Sequence, residues 1–167
     1  MRKILSATMA GAALLAGVNA NAATTTTSFL VSATVLKACL VSAGAFNFPN
    51  YTPGLGAVTG SSGINVNCTK TTPFTVALNA GTTAGGTFVQ RLLGNGANTL
   101  QYNLYTTNTY ATVWGDGGGA TATQPGTGSG LGTAVPFTVY GQLPDSPANQ
   151  SAAPLTYTDS ITVTVTF

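Results

Sequence analysis

The 167-residue sequence holds no histidine and no glutamate, and its charged side chains are five Lys or Arg and three Asp. Each shortage excludes something. Without histidine nothing can activate Ser160 or any other hydroxyl, so Ser-His-Asp hydrolysis fails on inventory. The two cysteines, Cys39 and Cys68, are too few for a thiolate metal site and have no histidine to supplement them. Asp145 and Asp159 stand in ordinary turn and strand-start contexts, where nothing raises the pKa of either, so they do not read as a glycosidase pair. Asp116 sits in a glycine run, residues 115–119, as a lone carboxylate without flanking ligands or a following helix. It reads as a turn rather than a calcium or phosphate site. No catalytic residue, metal or cofactor is expected, and the chain does not read as an enzyme.

The few charges are also unevenly placed. Arg2 and Lys3 precede an apolar stretch over residues 4–18, and Ala20-Asn21-Ala22 fits a small-x-small cleavage site. Residues 1–22 are therefore expected to be an export signal, too short and too weakly apolar for a good membrane span. The remainder keeps Lys37, Lys70 and Arg91 against Asp116, Asp145 and Asp159, and 3 minus 3 leaves no net charge. Nucleic acid and anionic membrane partners are disfavoured by that balance, and no small-molecule substrate is expected. Surfaces with few ions can meet without stripping water from them, which suits a polymer subunit. Two cysteines in an exported chain meet an oxidising compartment, so Cys39 and Cys68 are expected to form a structural disulfide. A closed loop of about 30 residues predicts roughly 3–4 kcal/mol of stabilisation.

What is present is alternation. Across residues 157–167, Tyr157, Asp159, Ile161, Val163, Val165 and Phe167 share one face, with Ser or Thr at every position between. A period of two is a β-strand with an apolar side and a hydroxylated side. Residues 28–36 alternate likewise, with Phe29, Val31, Ala33 and Val35 on one face. Between them, strands are predicted over residues 39–48, 63–68, 74–78, 88–93, 99–106 and 136–143, separated by Gly, Pro and Asn turns. Residues 115–132 are rich enough in glycine to predict a mobile loop without regular strand. Trp114 is expected to pack over one end of the fold. About eight strands and no convincing helix predict an all-β, immunoglobulin-like sandwich.

Several stretches together resemble a known family. They are the Cys39 and Cys68 pair, PFTVALNAG at 73–81, Arg91, LQYNLYT at 100–106, WGDG at 114–117, FTVYGQLP at 137–144 and YTDSITVTVTF at 157–167. The chain resembles the spore coat protein U-like domain, which also forms the subunits of archaic chaperone–usher pili. The resemblance implies an incomplete immunoglobulin-like sandwich lacking its final strand. A periplasmic chaperone lends a strand during export, an outer-membrane usher passes the subunit on, and the next subunit's N-terminal extension fills the groove. It further implies that residues 23–38 are that extension and residues 39–167 the pilin body. Phe29, Val31, Ala33 and Val35 would then enter a neighbour's groove, bordered by Ile161, Val163, Val165 and Phe167. An ion pair between Arg91 and Asp159 is expected on the same basis.

The function expected from these readings is structural. The chain would be a shaft or minor subunit of an exported cell-surface pilus, a homo- or hetero-polymer supporting attachment and biofilm formation. A tip adhesin would need a second domain. The rival reading is a self-complete secreted β-sandwich, with residues 28–36 as its own first strand, that binds carbohydrate or coats a surface as a monomer.

Overall fold

A computed structural model describes residues 21–167, and the expected export signal lies almost wholly outside them. The chain divides into two units at Thr34 and Val35. In the first, residues 21–34 carry no secondary structure and are exposed, with Phe29 85% and Val31 79% accessible. The second unit, Val35–Phe167, is the folded body.

The body is almost entirely β. Its strands are β1 (Cys39–Ala43), β2 (Val58–Cys68), β3 (Pro73–Leu78), β4 (Arg91–Asn95), β5 (Asn98–Tyr105), β6 (Val113–Trp114), β7 (Thr121–Ala122), β8 (Gln124–Thr127), β9 (Val135–Leu143) and β10 (Val163–Thr166). A short helix, α1 (Pro147–Gln150), follows β9 and is capped by the Ser146 hydroxyl. One sheet runs β1-β2-β9-β5-β6-β7, with β4 on the first half of β5; the other runs β10-β3-β8. Their inner faces enclose a core of Ile64, Val66, Phe74, Val76, Leu78, Leu104, Trp114 and Val139. This is the sandwich that the alternation requires, because each strand has one apolar side to hide.

Several predicted elements are corrected. The first strand stops at Ala43 rather than Phe48, since Phe46 and Phe48 turn in against the core. Their rings meet at 4.9 Å between centroids, tilted 59° to each other, over Gly141, where any side chain would collide with the Phe46 ring. The predicted loop 115–132 contains β7 and β8. Pro125 is tolerated there because β8 is a sheet edge, and Gly126 leaves room for the rings of Phe74 and Phe137. Trp114 is fully buried, its Nε1 donating to the Val76 carbonyl at 2.9 Å, so it packs as expected but inside the sandwich.

Cys39 and Cys68 are bonded, and they stand directly opposite each other in the β1–β2 register. The bridge thus ties the edge strand β1 to the central sheet and closes a loop with a sequence separation of 29. Changing both cysteines to serine should lower unfolding free energy by about 3 kcal/mol. Urea denaturation of the oxidised protein against the double variant measures this directly.

Candidate functional site

A pair of unshared strand edges defines the site. Among the described residues β1 pairs only with β2, and β10 only with β3, so each leaves one row of backbone groups unpaired by any described strand. The side chains tell the same story. Val41 lies opposite Val66, and Ala43 opposite Ile64, so both share the face of residues that are 0% and 2% exposed. Val41 is nevertheless 43% exposed, and Ala43 is exposed as well. On the other wall, Val163 and Val165 lie opposite fully buried Leu78 and Val76 yet remain half-buried. Core-facing side chains on both edges are therefore uncovered.

Between the edges runs a groove. A cavity of about 190 Å³ is lined by Ala43, Gly44, Phe46, Ile64, Leu78, Leu104, Val139, Asp159, Ile161 and Val163. A larger one of about 750 Å³ lies between residues 45–53 on one side and 152–159 on the other, with Leu93, Leu100 and Leu143 in its floor. The two share Phe46 and Asp159. Along the groove, numbering rises on the β1 side while it falls on the β10 side, so the walls run antiparallel. The structure brings Ile161 and Val163 to this groove and sets Val165 on the same face of β10. Phe167, 52% exposed, continues beyond the strand. It does not bring Phe29, Val31, Ala33 or Val35 into any strand.

The regular pairing of the last strand starts at Val163, not at Tyr157, and Asp159 explains why. Thr158 bridges to Gly94 of β4, whereas the Thr162 carbonyl accepts from the Asn79 N–H beyond β3 and the Thr162 N–H donates to Asn79 Oδ1. The chain crosses from one sheet toward the other between them. Asp159 brackets that crossing: one oxygen accepts the N–H and hydroxyl groups of Thr82 and Thr83, and the other accepts the Tyr102 hydroxyl at 2.6 Å. Gly81, at φ +94°, leaves the space the carboxylate occupies. The expected Arg91–Asp159 pair does not form. Arg91 is fully buried and donates to the carbonyls of Asn79 and Trp114 and to Asn103 Oδ1. Neutral oxygens hold this cation, and the carboxylate is satisfied by neutral donors nearby.

Burial pushes the Asp159 carboxyl up, but the Tyr102 hydroxyl and the N–H groups of Thr82, Ser160 and Thr83 outweigh it and hold it below the usual value. A carboxyl depressed in the folded state stabilises above its unfolded pKa of about 3.9 and loses that contribution as pH falls through the native value. The melting temperature should therefore fall as pH drops below about 4. Asp159→Asn should melt lower at neutral pH and show a flatter acid limb. Asp145 behaves alike: the Tyr51 hydroxyl and the Gly54 and Gly56 N–H groups bind its two oxygens and depress it, fastening the loop that walls the larger cavity. Neither Asp145 nor buried Asn149, which joins Gln101 to the Pro144 carbonyl, carries any sequence signal of its role.

Comparison with known proteins now bears on this geometry. The sequence model of the Spore Coat Protein U domain matches residues 25–164. The chain belongs to the spore coat protein U domain family. It is 33% identical over 186 aligned positions to Protein U of Myxococcus xanthus, covering 100% of this chain and 98% of that protein. Among solved structures it is similar to a chain of the CsuC-CsuE chaperone–tip adhesion subunit pre-assembly complex from the archaic chaperone-usher Csu pili of Acinetobacter baumannii. The TM-score is 0.53 at 25% identity, covering 80% of this chain and 41% of that one, so this chain spans less than half of the matched chain. Family and fold are those of structural proteins, not enzymes. Among the described residues no helix is long and apolar enough to cross a membrane.

Proposed function

We propose that this chain is a structural subunit of an archaic chaperone–usher pilus, exported to the cell surface and polymerised by donor-strand complementation. In this reading residues 1–22 are the export signal, residues 23–38 the donor extension and residues 39–167 the receiving body. Its partners are a periplasmic chaperone, an outer-membrane usher and neighbouring subunits, and the fibre serves attachment and biofilm formation.

The observation that carries the reading is the pair of core-facing but uncovered edges, β1 and β10, facing each other across an apolar groove. Unpaired edges accept any available strand and are covered in stable proteins. The two edges approach within 8 Å between Cα atoms in places, so a strand entering here parts them, then pairs with both backbone rows and puts alternate side chains into the groove, which is β-augmentation. Phe29, Val31, Ala33 and Val35 have that spacing and are exposed. Burying four such side chains is worth roughly 5–10 kcal/mol before ordering costs. Membership of the family and the likeness to a chaperone–usher pilus protein favour this partner over others.

The test is production of residues 23–167, and of residues 37–167, each with a periplasmic chaperone. Only the longer chain should give heat-resistant polymers once the chaperone is displaced. Fibres from the shorter chain would overturn the assignment of the extension. A stable soluble monomer of the longer chain made without any chaperone, its sheet edges protected from amide exchange, would instead establish the self-complete sandwich.

A further inference from the structure

The extension is apolar on both sides. Leu30 and Leu36 occupy its second face at 91% and 78% exposure, interrupted by Ser32 and Thr34. An ordinary donor needs only its groove face to be apolar, so these two leucines require their own account. The body offers a match. Leu40, on the outer face of β1, is 65% exposed, and its register partner on β2 is Asn67. Leu40 thus makes a small apolar patch on the outer face that borders the free edge of β1.

We propose that this patch receives an outward leucine of the extension of a second copy. The inference rests on the donor-strand reading and adds a second contact to it. A strand placed beside β1 shows its outer side chains next to those of β1, about 5 Å away across the pair. Because the groove walls are antiparallel, the strand is parallel to one and antiparallel to the other. Its N-terminal half, with Leu30, or its C-terminal end, with Leu36, then falls at the Leu40 end of the groove. Either direction supplies one leucine to Leu40. The incoming strand is clamped on both faces, by the groove beneath and by Leu40 outside, and the patch itself is removed from solvent.

The experiment is dissociation of preformed polymers in warm detergent for Leu40→Ser, Leu30→Ser and Leu36→Ser, followed by the double variants. Leu40→Ser should still polymerise but release subunits roughly tenfold faster, the effect of losing one partly buried leucine. One of the two extension variants should match it, and combining that variant with Leu40→Ser should add little, because both remove the same contact. Fully additive rates for both double variants, or unchanged release by Leu40→Ser, would overturn the proposal while leaving donor-strand assembly intact. Loss of polymers in Val31→Asp, tested beside them, reports on the underlying reading alone.

Discussion

Val31→Asp should abolish polymer formation while leaving the folded body unchanged. Val31 is 79% exposed in the free chain, and no strand or core contact depends on it, so an aspartate there costs the subunit almost nothing. In an assembled fibre the same side chain would face apolar lining such as Ile64, Leu78 and Val163. The assembly then loses about 2 kcal/mol of valine burial and takes on a carboxylate with no cation among those lining residues, a penalty of several kcal/mol. Together these weaken association on the order of a thousandfold or more. The control is Ser32→Asp, one residue on, whose side chain points to the other face and should still permit fibres. Size-exclusion profiles after chaperone release distinguish the two variants, and far-UV circular dichroism confirms that both bodies fold. If Ser32→Asp blocks assembly as fully as Val31→Asp, the alternation of the extension is not what the groove reads.

The strongest sequence signals were those in which a local period matched the tertiary environment. β3 is legible because Phe74, Val76 and Leu78 alternate and all three inward positions are buried. β5 is nearly so, but both Tyr102 and Asn103 are buried, because Asn103 also binds the carbonyls of Phe88 and Val89 in the preceding loop. Tertiary cover on the second face cannot be read from a period of two. β8 was hidden for the opposite reason. Gly126 and Pro125 argue for a loop by local propensity, and only the approach of two aromatic rings turns that glycine into a packing requirement. The apolar positions of β10 are legible, since they follow from alternation. What residues 157–167 alone cannot reveal is that Thr158 bridges to β4 while Val163–Thr166 pair with β3. That crossing is set by donors on Thr82, Thr83 and Tyr102, between 57 and 77 residues away in sequence.

The same long-range polar chemistry makes Arg91 the most sensitive position in the body. Its guanidinium is fully buried and fills four hydrogen bonds: two to the Asn79 carbonyl at 3.0 and 2.7 Å, one to the Trp114 carbonyl at 2.7 Å and one to Asn103 Oδ1 at 2.6 Å. Burial drags the guanidinium below its ordinary pKa, and Tyr102, Asp159 and Tyr105 pull back, yet an arginine stays charged throughout the accessible range. One side chain thus joins the end of β3, the β6 strand and the middle of β5, so both sheets depend on it. Arg91→Leu keeps much of the volume but strips donors from the buried Trp114 carbonyl, the part-buried Asn79 carbonyl and Asn103 Oδ1, which alone keeps another donor, the Leu104 N–H; an acceptor left unpaired costs about 1–3 kcal/mol. Arg91→Lys keeps the charge with a single ammonium that cannot span Asn79, Trp114 and Asn103 together. Arg91→Leu should therefore lose at least 3–5 kcal/mol, a large part of a domain's total stability, and Arg91→Lys only slightly less. Measured by urea denaturation, both midpoints should fall far below that of Asp116→Asn, an exposed turn change expected to be nearly neutral. Should Arg91→Leu instead unfold at the parent's midpoint, the buried network would be dispensable, and with it this account of how the two sheets hold the groove open.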